Sequence, residues 1–159
     1  PRTVAGPVVG ATERAGYGAR VLSNMQRSAF AGTVYAINPQ RDKVFDWPCY
    51  ASADDLPGKP DLALVVVPAS AVPVALRRCA AAGARAAIVI SAGFAELGDD
   101  GADRQGQLRA LAEETGMRIV GPNCLGAANL VDGIWPTAAS RLMATRSSNP
   151  MMRCSSFPR

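Results

Sequence analysis

Two uninterrupted apolar runs constrain the fold of this 159-residue chain more than any other feature. Residues 61–67 (DLALVVV) and 86–90 (AAIVI) are rich in strand-forming residues and carry no regular polar positions after Asp61. Such runs are typical of strands in a parallel sheet that helices cover on both faces. The segment between them, residues 69–82, has helical character and ends at Gly83, so it can serve as the crossover of a parallel pair.

The remainder of the chain repeats this alternation of strand and helix. Further strands are predicted at residues 4–9, 33–37 and 117–120, with a short one at 49–51, and further helices at 19–29 and 103–115. Gly6-Pro7 is expected to interrupt the first strand, because Pro7 cannot donate to a ladder. The sequence therefore predicts an α/β fold: a Rossmann-like, doubly wound parallel sheet forming one domain over residues 1–140, with an irregular or disordered tail over 141–159.

Several classes of site are excluded by composition. The chain has no histidine, and its four cysteines are widely spaced, without a CxxC pair. Zinc ligation of the usual kinds, Ser-His-Asp and Cys-His catalysis and phosphohistidine chemistry therefore cannot arise within this chain.

The net charge of +4 comes from the tail, which holds four arginines and no acid, whereas residues 1–140 are balanced. Nucleic-acid sites usually show clustered basic residues with interleaved aromatic residues. The four arginines of the tail are scattered, so no nucleic-acid partner is predicted.

No apolar run approaches the roughly 18 residues of a membrane span, and no leader is evident. We expect a cytoplasmic protein without a membrane partner.

Five predicted strand ends carry unusual residues, and in an open α/β sheet they meet at the rim where ligands bind. They read Gly10-Ala11-Thr12, Asn38-Pro39, Val67-Pro68, Ser91-Ala92-Gly93 and Gly121-Pro122-Asn123-Cys124. The first offers a hydroxyl and backbone amides that are expected to be free for a phosphate. Its glycines do not match G-x-G-x-x-G, however.

The second strand end discriminates between nucleotides. Enzymes that use NAD normally place Asp or Glu there to accept from the ribose hydroxyls, whereas this chain has Asn38-Pro39 followed by Arg41 and Lys43. Cations at this point favour a phosphorylated ribose. On these residues alone, NADP and coenzyme A (CoA) both remain open.

In this order the motifs resemble the CoA-binding domain of NDP-forming acyl-CoA synthetases, with succinyl-CoA synthetase α subunits as more distant members. The resemblance covers residues 4 to about 140. It implies a site composed of Gly10, Ala11, Thr12, Glu13, Arg14, Gly18, Asn38, Pro39, Arg41, Val67, Pro68, Ser91, Ala92, Gly93, Asn123 and Cys124. Within it, residues 12–14 would line the phosphate turn, residues 91–93 would give backbone contacts, and Asn123 and Cys124 would lie near the thiol.

The resemblance also implies a division of labour. In the family, a histidine of a later domain carries the phosphoryl group and an ATP-grasp module binds nucleotide; this chain has neither. The leading hypothesis is thus a CoA-binding fragment or subunit of an ADP-forming acyl-CoA synthetase, inactive alone, with ligase and ATP-grasp domains as partners. Cys124 would serve packing or polarity, not covalent catalysis. The alternatives are an NADP-binding oxidoreductase domain and a stand-alone, non-catalytic CoA-binding protein.

Overall fold

The computed structural model describes residues 5–28, 32–129 and 135–139. Its strands are β1 (Ala5–Val9), β2 (Thr33–Ile37), β3 (Lys43–Val44), β4 (Trp47–Tyr50), β5 (Leu62–Val65), β6 (Ala86–Val89) and β7 (Arg118–Val120). Its α-helices are α1 (Tyr17–Arg27), α2 (Val72–Ala81) and α3 (Asp99–Thr115), and short 3₁₀ helices lie at Ala53–Asp55, Ala69–Ala71 and Ala95–Leu97. The predicted tail at 141–159 lies outside the described residues.

The strands form one sheet in the order β3-β4-β2-β1-β5-β6-β7, parallel throughout except for the β3–β4 hairpin. The chain reverses its direction of winding at β1, whose neighbours are β2 and β5. The doubly wound, Rossmann-like α/β fold is therefore confirmed. None of the helices in the described part of the chain is both long and apolar enough to cross a membrane.

The period of two along the buried strands divides the core between the two faces of the sheet. Val65 and Val89 pack with Leu76 of α2 and Leu111 of α3 on one face. On the other face, Leu64 and Ile88 belong to a cluster with Val21, Leu22 and Met25 of α1. Helices on both faces explain why the two apolar runs show no solvent-facing side.

Gly6-Pro7 does not interrupt the first strand, contrary to expectation. β1 pairs with β2 along its whole length, Pro7 included, while its pairing with β5 occurs only at Val8 and Val9. Pro7 precedes the residues of β1 that pair with β5. The N–H donor that proline lacks is therefore not needed for a hydrogen bond to β5. Gly6 is required for close approach, because a Cβ there would lie 2.1 Å from the Leu62 carbonyl oxygen.

Other boundaries also differ from the prediction. Helix α1 begins two residues before the predicted start, α3 begins four residues before it, and the first turn predicted for the middle helix is 3₁₀. Strand β3 is not among the predicted strands.

The last described segment, residues 135–139, is well packed: Trp135 and Ala138 are buried, and the Asn24 Nδ2 donates to the carbonyl oxygens of Thr137 and Ala139 at 2.7 and 3.1 Å.

Candidate functional site at the carboxyl rim

The predicted rim residues follow the strand order of the sheet. From β2 to β7, the strand ends present Asn38, Gly10, Val67, Ser91 and Asn123 in turn. Adjacent strands lie about 4.8 Å apart, so the ends of β1 and β7 are separated by roughly 14 Å. A ligand that touched all of them would have to be elongated.

Asn38 joins the ends of the first two strands. Its Nδ2 donates to the Ala11 carbonyl oxygen at 2.8 Å, and its Oδ1 accepts from the Gln40 amide at 2.9 Å. The amides of Gly10 and Ala11 both donate to the Ile37 carbonyl oxygen, at 3.0 and 3.2 Å. The expectation that these two amides are free for a phosphate is therefore wrong, because the β1–β2 pairing extends into the turn and uses them.

The phosphate turn predicted at Thr12, Glu13 and Arg14 leads directly into α1. Thr12 Oγ1 accepts from the Arg14 amide at 3.1 Å, which tightens the turn. Gly18 lies in the first turn of the helix and is buried; a Cβ there would lie 2.9 Å from the Gly10 carbonyl oxygen. The start of α1 has no side-chain cap. Because α1 follows the carboxyl end of β1, its first amides lie at the rim.

Ser91 connects three strand ends. Its Oγ accepts from the Val67 amide at 3.1 Å and lies 3.4 Å from the Val65 carbonyl oxygen, to which it can donate. Its carbonyl oxygen accepts from the Asn123 amide at 2.9 Å. Ser91 is only 7% exposed, so the hydroxyl is a buried structural link between β5, β6 and β7.

The Gly93 backbone is already engaged within the chain. Its amide donates to Glu96 Oε1 at 2.6 Å, and its carbonyl oxygen accepts from Arg104 at 2.6 Å. The Gly93 amide is the main reason that the pKa of the Glu96 carboxyl is lowered. Of residues 91–93, Ala92 is the one that is exposed, and backbone contact from it to a ligand remains a prediction.

Cys124 follows the last strand in a half-buried position, and its Sγ lies 3.4 Å from the Val89 carbonyl oxygen, to which the thiol can donate. Leu125, the next residue, is held by residues 135–139: the Leu125 carbonyl oxygen accepts from Thr137 Oγ1 and from the Ala138 amide. The thiol is thus fixed at the β7 end of the rim.

A cleft of about 540 Å³ opens where the winding reverses, between the ends of β1, β2 and β5 and the side of α2. Four of the predicted site residues line it: Gly10, Asn38, Pro39 and Val67. The other predicted residues lie outside its lining. Most of the remaining wall is aliphatic, with Ala71, Val74 and Ala75 contributed by α2 and the turn before it.

Arg78 is a cleft residue that the sequence prediction missed. Its guanidinium donates to Ser52 Oγ at 3.2 Å and lies 3.7 Å from Asp54 Oδ2. The sequence does contain a signal for Arg78, because it shares one helical face with three cleft residues. Ala71, Val74, Ala75 and Arg78 follow the i, i+3, i+4, i+7 spacing. Only the placement of α2 beside β5 shows that this face borders the rim.

Cys79 also lines the cleft wall and is fully buried, and burial raises the pKa of its thiol to about 11. The neutral thiol therefore predominates until the pH approaches that value, and we expect Cys79 to resist iodoacetamide at pH 8 in the folded protein. Peptide mapping by mass spectrometry should find it alkylated only after urea is added. Labelling of native Cys79 faster than of half-buried Cys49 would contradict this.

The fold and the rim together define a nucleotide-binding domain of the Rossmann-like class. An apolar cleft at the point where the winding reverses, beside an uncapped helix start, is the arrangement that holds an adenine nucleotide in this class. The family model for the CoA binding domain matches residues 2–129. The chain belongs to this CoA-binding domain family, as its motifs predicted.

Relatives carry the same domain in longer proteins. The chain is 43% identical over 130 residues to acetate–CoA ligase [ADP-forming] I of Archaeoglobus fulgidus, covering 81% of this chain and 18% of that protein. It is 36% identical to the alpha subunit of acetate–CoA ligase [ADP-forming] II of Pyrococcus furiosus, of which it covers 28%. The dinucleotide-forming acetyl-coenzyme A synthetase 1 of Ca. Korarchaeum cryptofilum, solved with phosphate and ADP, superimposes with a TM-score of 0.81 at 34% identity, over 86% of this chain and 29% of that one.

Proposed function

We propose that this domain binds CoA along the carboxyl rim of its sheet, with the adenine in the cleft between β1, β2 and α2. The observation that carries the proposal is the cleft itself, an aliphatic slot of about 540 Å³ at the reversal of the winding. A flat, uncharged purine suits such walls, and the start of α1 offers amides to the diphosphate.

The charges beside the cleft support a phosphorylated ribose. Arg41 follows directly after the cleft-lining segment 38–40, and Arg78 stands in the opposite wall. Lys43, the other cation predicted here, lies on β3 and is 4.0 Å from Asp46. Arg41 is therefore the stronger candidate for the 3′-phosphate, because its side chain has no carboxylate within ion-pair distance among the described residues.

The pantetheine arm would extend along the strand ends toward β7. The arm is elongated enough to pass from the diphosphate at β1 past Val67-Pro68 and Ala92 to the turn with Asn123 and Cys124. Its thiol would then be presented to an acyl group activated elsewhere. The chain spans only 18% and 28% of the two ligase relatives, so we propose that ligase and nucleotide-binding domains are its partners.

The direct test is titration calorimetry of the 159-residue chain with CoA, dephospho-CoA and NADPH. We expect heat with CoA and a weaker response with dephospho-CoA, which lacks the 3′-phosphate. Absence of binding to CoA would overturn the proposal, and preferential binding of NADPH would favour the oxidoreductase alternative.

Arg41→Glu should weaken CoA binding by about 1 to 3 kcal/mol, roughly 5- to 150-fold, because it replaces a charge-assisted contact by repulsion. Binding of dephospho-CoA should barely change. The matched control is Arg85→Glu, a charge reversal of an exposed arginine at the amino end of β6, on the opposite edge of the sheet. Equal losses for both ligands in Arg41→Glu would show that Arg41 does not contact the 3′-phosphate.

A further inference from the structure

Glu13 makes a contact that the phosphate turn itself does not require. Its Oε1 accepts a hydrogen bond from the Phe45 amide at 2.6 Å, across 32 residues of sequence. Glu13 lies in the turn after β1, and Phe45 lies at the tip of the β3–β4 hairpin. The contact therefore joins the two segments that border the phosphate end of the proposed site.

The hairpin tip needs such support. Val44 pairs with Trp47, so Phe45 and Asp46 form a two-residue turn, and Phe45 adopts a φ of 52°. Positive φ at this position is normally supplied by glycine, and a bulky residue keeps it only when its surroundings hold it there. The Phe45 ring packs edge-on against Trp47 and on the α1 side of the core, and the carboxylate of Glu13 holds its amide.

The same hairpin fixes the loop that carries Arg41. The Arg41 amide donates to the Asn38 carbonyl oxygen at 3.3 Å, and the Cys49 amide donates to the Asp42 carbonyl oxygen at 3.0 Å. The loop is therefore bonded to the end of β2 and to β4. Because β3 follows directly after Asp42, a shift of the hairpin tip away from α1 would be passed through β3 to Asp42 and to the neighbouring Arg41.

The Glu13 carboxylate is used in a contact within the chain. The Phe45 amide holds one of its oxygens against the hairpin through a charge-assisted hydrogen bond. We infer that Glu13 is a positioning residue that holds the hairpin so that Arg41 faces the 3′-phosphate. The inference rests on the proposed function, since it concerns the same ligand.

Calorimetry with CoA and dephospho-CoA tests it on the wild type, Glu13→Ala and Glu13→Gln. The quantity that matters is the ratio of the two affinities, because any effect on the diphosphate cancels in it. We expect Glu13→Ala to lower this ratio roughly tenfold, the scale of one charge-assisted hydrogen bond. Glu13→Gln should restore part of it, because its amide oxygen still accepts from Phe45 through a weaker, neutral hydrogen bond, while both variants lose the same charge.

The outcomes separate the two proposals. If the wild type does not bind CoA, the proposed function fails; if it binds CoA and the ratio is unchanged in Glu13→Ala, the positioning role alone fails. An equal loss for both ligands, or no rescue by Gln, also overturns it. Should Glu13→Ala not fold, Glu13→Asp keeps the charge but shortens the reach, and it should lower the ratio as Ala does.

Discussion

Replacing Gly10 by alanine should lower the free energy of unfolding by about 3 to 5 kcal/mol. Gly10 has a φ of +86°, and a Cβ there would lie 2.1 Å from the Val66 carbonyl oxygen. Backbone strain contributes about 1 to 3 kcal/mol, and the forced displacement of the Val66 backbone after β5 contributes a comparable amount. Urea denaturation followed by circular dichroism measures the loss, and CoA binding should fall with it because Gly10 also lines the cleft.

Gly98→Ala is the matched control. Gly98 has the same φ of +86°, but no heavy atom lies within 4 Å of the position that a Cβ would take there. This variant should be destabilised by the backbone strain alone, about 1 to 3 kcal/mol, and Gly98 lies outside the cleft lining. If the two variants were equally destabilised, the contact between the Cβ at position 10 and the Val66 carbonyl oxygen would contribute nothing measurable to the loss. Glycine would then be required at position 10 only because of its positive φ.

The sheet could be predicted because its strands are buried on both faces. Strand β2 has the predicted limits, since Asn38-Pro39 ends it, and the two apolar runs form β5 and β6, which are three residues and one residue shorter than the runs. Strand β3 could not be found. It has two residues, and its turn lacks the Asn or Gly that usually signals a hairpin.

Tertiary contacts explain the errors at helix starts. Helix α3 includes Gly101, which disfavours a helix, yet the glycine is needed there: a Cβ would lie 1.7 Å from the Phe94 carbonyl oxygen. A prediction from helix propensity alone therefore places the start of α3 too far along the chain. The continuous β1 is a similar case, because the position of Pro7 relative to β5 decides whether the proline is tolerated.

In the candidate site, too, local sequence patterns predicted some residues, whereas others depend on tertiary contacts. Residues at strand ends, such as Asn38 and Val67, could be predicted because parallel topology brings all carboxyl ends to one edge. The α2 wall with Ala75 and Arg78 could not, because it requires knowledge of which helical face a crossover turns toward the rim. The state of the Gly10 and Ala11 amides depends on how far the β1–β2 pairing continues, which no local pattern records.

Ala75→Phe should reduce the affinity for CoA at least 100-fold, about 3 kcal/mol, by placing a phenyl ring where the adenine is proposed to lie. Ala75 is half-buried on the cleft face of α2. The cleft of about 540 Å³ is large enough for a phenyl ring, so we expect the free energy of unfolding to change only by the helix propensity of about 0.5 kcal/mol. Calorimetry gives the affinity, and urea denaturation gives the stability of the same variant.

Ala81→Phe provides the control, because Ala81 is exposed on the same helix and lies outside the cleft lining. At the last residue of α2 its propensity cost is no larger than at Ala75, and because it lies away from the cleft it should bind CoA like the wild type. Dephospho-CoA should lose as much affinity as CoA in Ala75→Phe, since both contain adenine, whereas Arg41→Glu separates the two ligands. A folded Ala75→Phe variant that bound CoA as tightly as Ala81→Phe would place the adenine elsewhere on the rim. That result would contradict the assignment of the cleft as the adenine-binding site.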